Sequence, residues 1–322
     1  MKIITCFSYK GGAGRTVAVA NIAAALSSTK AVAFIETPLN HKVALIDLDV
    51  FSAGLHRAFG INNDVFNTDV KVCVQDYLLE QIEPSDYLNK YAITLSSHIM
   101  NDFMAYTGAR GNCREDLTLF PAKPDPDRRF IVAKYHENLL FQLIMELEKE
   151  GFDYLLIDGE SGTRSMADIA LRLSDIVLMF HRLTWQHVDG TLNAANSYLK
   201  FKKDSFPHFY LIPTVVPLVG EKDNVFNDNA PGLNELRIST INLPKYSGLN
   251  SFAEENKGTE SDPGPGYFWA NGICIHDSLV LKGGERIIVF DTTMDLLDQA
   301  GKDYYRIARE ISRLHKPNEE MH

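Results

Sequence analysis

The opening residues constrain the fold more than any other stretch. Met1-Lys-Ile-Ile-Thr-Cys-Phe-Ser-Tyr-Lys-Gly-Gly-Ala-Gly-Arg-Thr-Val17 reads as an apolar strand, a glycine-rich turn and the start of a helix. Glycines at 11, 12 and 14 let the backbone approach phosphate oxygens. The helix that follows would aim its free N–H groups and positive dipole end at them. The pattern therefore predicts a triphosphate cradle in an α/β protein. The strict form G-x-x-x-x-G-K-[ST] is broken twice, by Tyr9 at the first glycine and by Arg15 at the lysine, so the loop needs support from elsewhere in the chain.

That support begins with the alternation of short apolar runs and helical patterns, which predicts a doubly wound, mostly parallel sheet with helices on both faces. Strands are expected over 2–7, 42–46, 154–157, 176–180, 209–212 and 286–290. Helices are expected over 15–27, 127–150, 165–173, 184–200 and 294–315. With 322 residues, 45% of them hydrophobic, the chain can bury one large core, and 1–322 reads as a single domain. Three stretches exceed the minimal pattern and read as insertions: 28–41, with a strand-like Ala31-Val-Ala-Phe-Ile35; 60–123, with a weak helix at 74–81; and 220–272, rich in Asn, Gly, Asp and Pro. Such segments are lids, partner surfaces or disordered chain.

Composition removes several classes. A net charge of −10 argues against a nucleic-acid binder by bulk electrostatics, since phosphate affinity comes from clustered Lys and Arg. Cys6, Cys73, Cys113 and Cys274 lack C-x-x-C spacing, so neither a zinc site nor a disulfide framework is expected. No apolar run is long enough to span a bilayer, and the apolar start reads as a core strand, so a cytoplasmic location is expected.

Two further runs carry chemistry. Val43-Ala-Leu-Ile-Asp-Leu-Asp49 is an apolar strand ending in two carboxylates one residue apart, hence on one strand face at its carboxyl end. Phe152-Asp-Tyr-Leu-Leu-Ile-Asp-Gly159 is a second such strand, ending in Asp158, the form of a Walker B aspartate. An Asp at a strand end is usually a turn former or cap. Three of them with Thr16, in this order, can instead converge on one Mg²⁺.

Lys10-Gly-Gly-Ala-Gly-Arg-Thr16 resembles the deviant Walker A loop, K-G-G-x-G-K-[ST], of the ParA/MinD-like P-loop ATPases. Asp47-Leu-Asp49 resembles the family's second carboxylate motif and Asp158-Gly-Glu-Ser-Gly162 its Walker B loop. Ser174-Asp-Ile-Val-Leu-Met179 resembles the next core strand, and Leu211-Ile-Pro-Thr214 the strand whose end lies near the base. The variant branch with K-G-G-V-G-R-[ST] followed by D-x-D-x-E-A-P-G-L-H is closer still. Here that second motif reads Asp47-Leu-Asp-Val-Phe-Ser-Ala-Gly-Leu-His56, with Phe51 for the acid and Ala53 for the proline.

The resemblance implies that ATP and Mg²⁺ are the ligands. Gly11, Gly12, Ala13, Gly14, Arg15, Thr16 and Val17 would cradle phosphates, with Arg15 in the phosphate-bridging role, and Pro213 and Thr214 would lie near the base. Thr16, Asp47 and Asp158 would hold the metal. Asp49 would orient the attacking water, and Lys10 would reach the partner's phosphates across an ATP-dependent homodimer. Arginine is not a conservative lysine at a bidentate phosphate site, so binding with slow turnover is expected.

The implied function is a nucleotide-controlled dimerising switch acting on an unidentified protein partner or effector, in signalling or defence. A nucleotide-binding scaffold with little hydrolysis is one alternative. A partition or positioning ATPase using DNA or membrane is another. The helix near the end offers Arg306, Arg309, Arg313 and Lys316, but its simpler reading packs Ile307, Ile311 and Leu314 on the sheet with a solvated basic face. His181, His187, His208 and His276 show no metal-ligand spacing, and Trp185 and Trp269 read as packing groups.

Overall fold

The computed structural model describes residues 1–28, 37–61, 73–80, 82–95, 117–124, 130–162, 165–182, 184–201, 208–216, 266–268, 273–274 and 298–315. In chain order the strands are β1 (Lys2–Phe7), β2 (Val43–Asp47), β3 (Ile93–Thr94), β4 (Leu117–Phe120), β5 (Tyr154–Asp158), β6 (Ile176–Arg182), β7 (His208–Val216), β8 (Gly266–Phe268) and β9 (Ile273–Cys274). The helices are α1 (Arg15–Leu26), α2 (Leu55–Ala58), α3 (Val74–Glu80), α4 (Pro84–Tyr91), α5 (Tyr135–Lys149), α6 (Ser165–Leu173), α7 (Trp185–Phe201) and α8 (Asp298–His315).

The strands form one sheet in the order β3-β4-β2-β5-β1-β6-β7-β8, with β9 beside β7 next to β8. Every pairing among them is parallel except β3 with β4. β1 lies at the centre because its run is apolar on both faces, as a strand covered twice must be. Ile4 and Cys6 join a core with Leu45, Leu156, Leu178 and Ile212 on one face. On the other, Ala44, Ile46, Leu155 and Ile157 pack with α5, and Phe7, Val177, Met179 and Leu211 with α6 and α7.

α1 is buried almost all round, from Ala18 to Leu26. Its run of alanines leaves it no polar face, the signature of a helix enclosed by other elements. Sheet strands cover one side and α8 the other, through Tyr304, Ile307, Ala308 and Ile311. α8 is amphipathic, with Arg309 and Arg313 exposed, which is the packing reading of this helix. The side chains of Leu314 and Lys316 fall outside the described residues.

Among the described residues the expected strands and helices are present, with two differences. Of the helix expected at 127–150, residues 130–134 are not helical and α5 starts at Tyr135. The stretch 60–123, expected to be an insertion, supplies β4, an interior strand pairing in parallel with β2. It also supplies α3 and α4, whose Tyr77, Leu78 and Tyr87 are fully buried. Tyr77 and Tyr87 stack with centroids 4.7 Å apart, and Tyr87 leans on Phe120 of β4. Within 220–272 only β8 is described, at the sheet edge; residues 29–36 and the strand expected at 286–290 lie outside the described residues. Among the described residues no helix is long and apolar enough to cross a membrane.

Candidate functional site

In a parallel sheet all strands end on one side, and β1, β2 and β5 bring their carboxyl ends together there. The register pairs Asp47 with Asp158 and Cys6 with Asp158. The turn from β1 to α1 crosses the same edge. Gly14 caps α1 at φ 73°, and its carbonyl accepts the Ala18 N–H at 3.0 Å. No atom stands within 4 Å of a β-carbon added there, so glycine is required by the left-handed backbone rather than by space. The loop 159–162 is tied to the first leg of the glycine turn. Gly159 N donates to the Cys6 carbonyl at 3.2 Å, and Gly162 N to that of Ser8 at 3.0 Å.

Arg15 organises the interior of this edge. Its Nε donates to Asp158 Oδ1 at 2.5 Å, Nη2 to Asp49 Oδ2 at 2.9 Å, and Nη1 to Ser8 Oγ at 3.2 Å. The residue is only 6% exposed. Burial works against its charge, but Asp158 and Asp49 outweigh it and hold the guanidinium protonated. Burial pushes Asp158 up, opposed by Arg15 and by the Thr16 hydroxyl that donates to it. A lysine has one point charge, whereas the arginine fork spans two carboxylates at once.

Asp47, expected among the metal ligands, is held by backbone amides. Its Oδ1 accepts the Asp49 N–H at 3.1 Å, and its Oδ2 those of Gly54 and Leu55 at 3.2 and 3.1 Å. It thereby shapes the loop after β2. Burial, then Asp158, raises its pKa well above the carboxylate range, against the pull of the Leu55 amide. Among the described residues no three His, Cys, Asp or Glu side chains are arranged to hold a metal ion. Mg²⁺ takes few protein ligands and completes its shell with phosphate oxygens and water. The oxygens of Thr16 and Asp158, hydrogen-bonded to each other, suit that kind of site.

The remaining expected residues are arranged around the rim. Gly11 and Gly12 are exposed and Ala13 is buried, with Val17 half-buried behind them. Lys10 Nζ donates to Gln186 Oε1 on α7 at 2.8 Å. Pro213 and Thr214 lie on β7, opposite His181 and Arg182 of β6. Both are buried, and the Thr214 hydroxyl donates to the His181 carbonyl at 3.2 Å. Ser8, Gln186 and Arg182 were not anticipated from the sequence. Arg182 ends β6, the strand beside β1, and a charged residue at the carboxyl end of a strand neighbouring the loop is the signal that would have found it.

A glycine turn between the central strand and its helix, at the carboxyl edge of a parallel sheet with acids on the neighbouring strands, defines a P-loop α/β fold. The chain has that fold in the form seen in ParA/MinD-type proteins. It is similar to a putative plasmid partition protein from Borrelia burgdorferi bound to AMPPNP, at TM-score 0.58 and 18% identity, over 96% of this chain and 98% of that one. It is similar to the MinD cell division protein of Aquifex aeolicus at TM-score 0.59 and 18% identity, over 96% and 98%. The septum site-determining protein MinD of Pyrococcus horikoshii, complexed with Mg-ADP, aligns at TM-score 0.55 and 17% identity over 99% of each chain. No protein-family profile and no curated protein sequence matches the chain.

Proposed function

We propose that this chain is an ATP-binding, Mg²⁺-dependent slow ATPase of ParA/MinD type, from the branch with arginine in the loop. In this reading it is a cytoplasmic, nucleotide-controlled dimerising switch that regulates a partner or effector protein. The observation that carries the reading is the meeting of the glycine turn and Thr16 with Asp49 and Asp158 at one sheet edge, linked through Arg15. The similar structures support it: one holds AMPPNP, one Mg-ADP, one is a MinC:MinD complex, and one is described as a cell division ATPase.

Residues 11–17 would cradle the phosphates. Thr16 would ligate Mg²⁺, supported by Asp47 and Asp158, with Asp47 also ordering the loop after β2. When bound, the ion supplies neutralisation of phosphate charge. Asp49 would orient the attacking water, and Arg15 would serve the phosphates. Both roles require Arg15 to exchange its two carboxylate partners for phosphate oxygens. That exchange of a buried, doubly paired guanidinium is a physical reason for slow turnover. Pro213 and Thr214 would sit toward the base, and Lys10 would leave Gln186 to reach the partner's phosphates in the homodimer.

Sedimentation with Mg²⁺ and ATP, against nucleotide-free protein, tests this reading. The expected result is a monomer that becomes a dimer with ATP, more persistently in Asp49→Ala. ATP binding with unchanged assembly would reject the dimerising switch.

The Arg15–Asp49 ion pair also favours a second reading, a nucleotide-binding scaffold, because it occupies the carboxylate needed to orient water. Phosphate release above background rejects the scaffold. The likenesses to a plasmid partition protein and a MinD cell division protein support a partition or positioning role, for which DNA or membrane would be the matrix. For that role α8 has its exposed Arg309 and Arg313 to offer, and a salt-dependent DNA mobility shift decides it.

A further inference from the structure

Arg182 closes β6 one strand away from the glycine turn, and its side chain folds back over it. Its Nε donates to the Gly12 carbonyl at 2.5 Å. Its Nη2 lies 3.5 Å from the point where a β-carbon on Gly12 would stand. Arg15 has its fork filled by Asp49 and Asp158; Arg182 is exposed and makes no ion pair with a described residue. A guanidinium carries five N–H donors in a plane, and only Nε is used on the carbonyl.

Lys10 reaches the same rim from the loop. It is held at 2.8 Å by Gln186, four positions after Arg182 in the chain. His187, the next residue, senses both cations: burial lowers its pKa first, then Arg182, then Lys10. Two cationic head groups therefore stand together beside the amides of residues 11–16, next to an imidazole held toward its neutral form. Such a pairing, in which one group can also bind bidentately, is suited to a polyphosphate.

We infer that Arg182 is a phosphate-binding residue, bracing the Gly12 carbonyl through Nε while the outer edge of its guanidinium receives the phosphate chain of the nucleotide in its own subunit. This rests on the nucleotide-binding reading above. It adds a cation supplied in cis from β6, outside every motif of the loop and its acids. Gly12 itself is a glycine for its backbone, at φ 77°, and a β-carbon there would stand in ordinary contact with the guanidinium.

Binding of a fluorescent ATP analogue and of ADP would be measured for the wild-type protein, Arg182→Gln and Arg182→Lys, with melting temperatures alongside. Glutamine keeps a donor for the Gly12 carbonyl but loses the charge; lysine keeps the charge. Arg182→Gln should lose at least about tenfold in ATP affinity, the scale of a charge-assisted hydrogen bond, and Arg182→Lys should recover part of it. Wild-type affinity in Arg182→Gln overturns the inference alone and leaves the nucleotide reading intact. Equal losses in both variants also overturn it, because bracing rather than charge would then be at work. A wild-type protein that binds neither nucleotide overturns both.

Discussion

The Tyr9 ring lies directly on the backbone of Gly190 in α7, so closely that a β-carbon on Gly190 would stand 1.9 Å from Tyr9 Cδ1. Tyr9 stands where a P-loop ordinarily begins with glycine, and Gly190 is the residue that makes room for it. The two positions are complementary across 181 residues of sequence, and their contact fixes the residue just before Lys10.

Gly190→Ala should therefore displace Tyr9 and the start of the loop. The overpacking is expected to cost about 1–3 kcal/mol in urea unfolding and to weaken nucleotide binding. Tyr9→Gly in the same chain should return much of that loss. A double-mutant cycle with no coupling between the two sites would reject the contact as the cause.

Arg15 is expected to matter for stability as well as for phosphate. Arg15→Met leaves Asp49 and Asp158 without their counter-ion, a loss of about 3–5 kcal/mol for a broken buried pair. Arg15→Lys keeps a charge but not the fork, and should fall between. Denaturant midpoints in that order support the arrangement; a Met variant as stable as the wild type contradicts it.

Asp47 should behave as a loop organiser. Asp47→Ala strips acceptors from the amides of Asp49, Gly54 and Leu55, at a cost of about 2–4 kcal/mol for buried donors left unpaired. Asp47→Asn retains an acceptor, and burial already favours the neutral carboxyl, so it should cost much less. Hydrogen exchange is the readout, fast at all three amides in the Ala variant and, in Asn, slow only at the amides that its single carbonyl oxygen still accepts.

His181 predicts a pH dependence. Its ring is fully buried, and burial pushes its pKa down from 6.5 to about 4. The unfolded chain therefore binds the extra proton first, so stability should fall as pH drops from about 6.5 to about 4 and gain no further loss from this group below that. The full effect is up to about 3 kcal/mol, at 1.36 kcal/mol per unit. Melting temperatures of the wild type and His181→Gln across that range should differ in slope, with the variant flatter. Parallel slopes would sink the assignment.

The glycine turn, its flanking strand and helix, and the acids at 47, 49 and 158 were legible because each is local: a run of apolar residues ending at a charge, or glycines at a fixed offset. Their partnerships were not. That Arg15 faces inward to Asp49 and Asp158 depends on side-chain placement across three strands, and that Asp47 serves amides at 54 and 55 depends on the path of the loop after it. β4 went unrecognised because four residues, Leu-Thr-Leu-Phe, are too short to show a period, and their apolar character is decided by burial beside β2. Arg182 and Gly190 carry no motif at all. Each is meaningful only through a residue some 170 or more positions away.

The enclosure of α1 has a consequence for the order in which the protein is made. The helix that carries the glycine turn leaves the ribosome well before α8, which forms one wall of its compartment and follows every described strand of the sheet in the chain. Until α8 arrives, the alanine-rich surface of α1 stays open on that side, as exposed apolar surface that chaperones recognise. The segment with the clearest signature in the sequence is in this sense closed late.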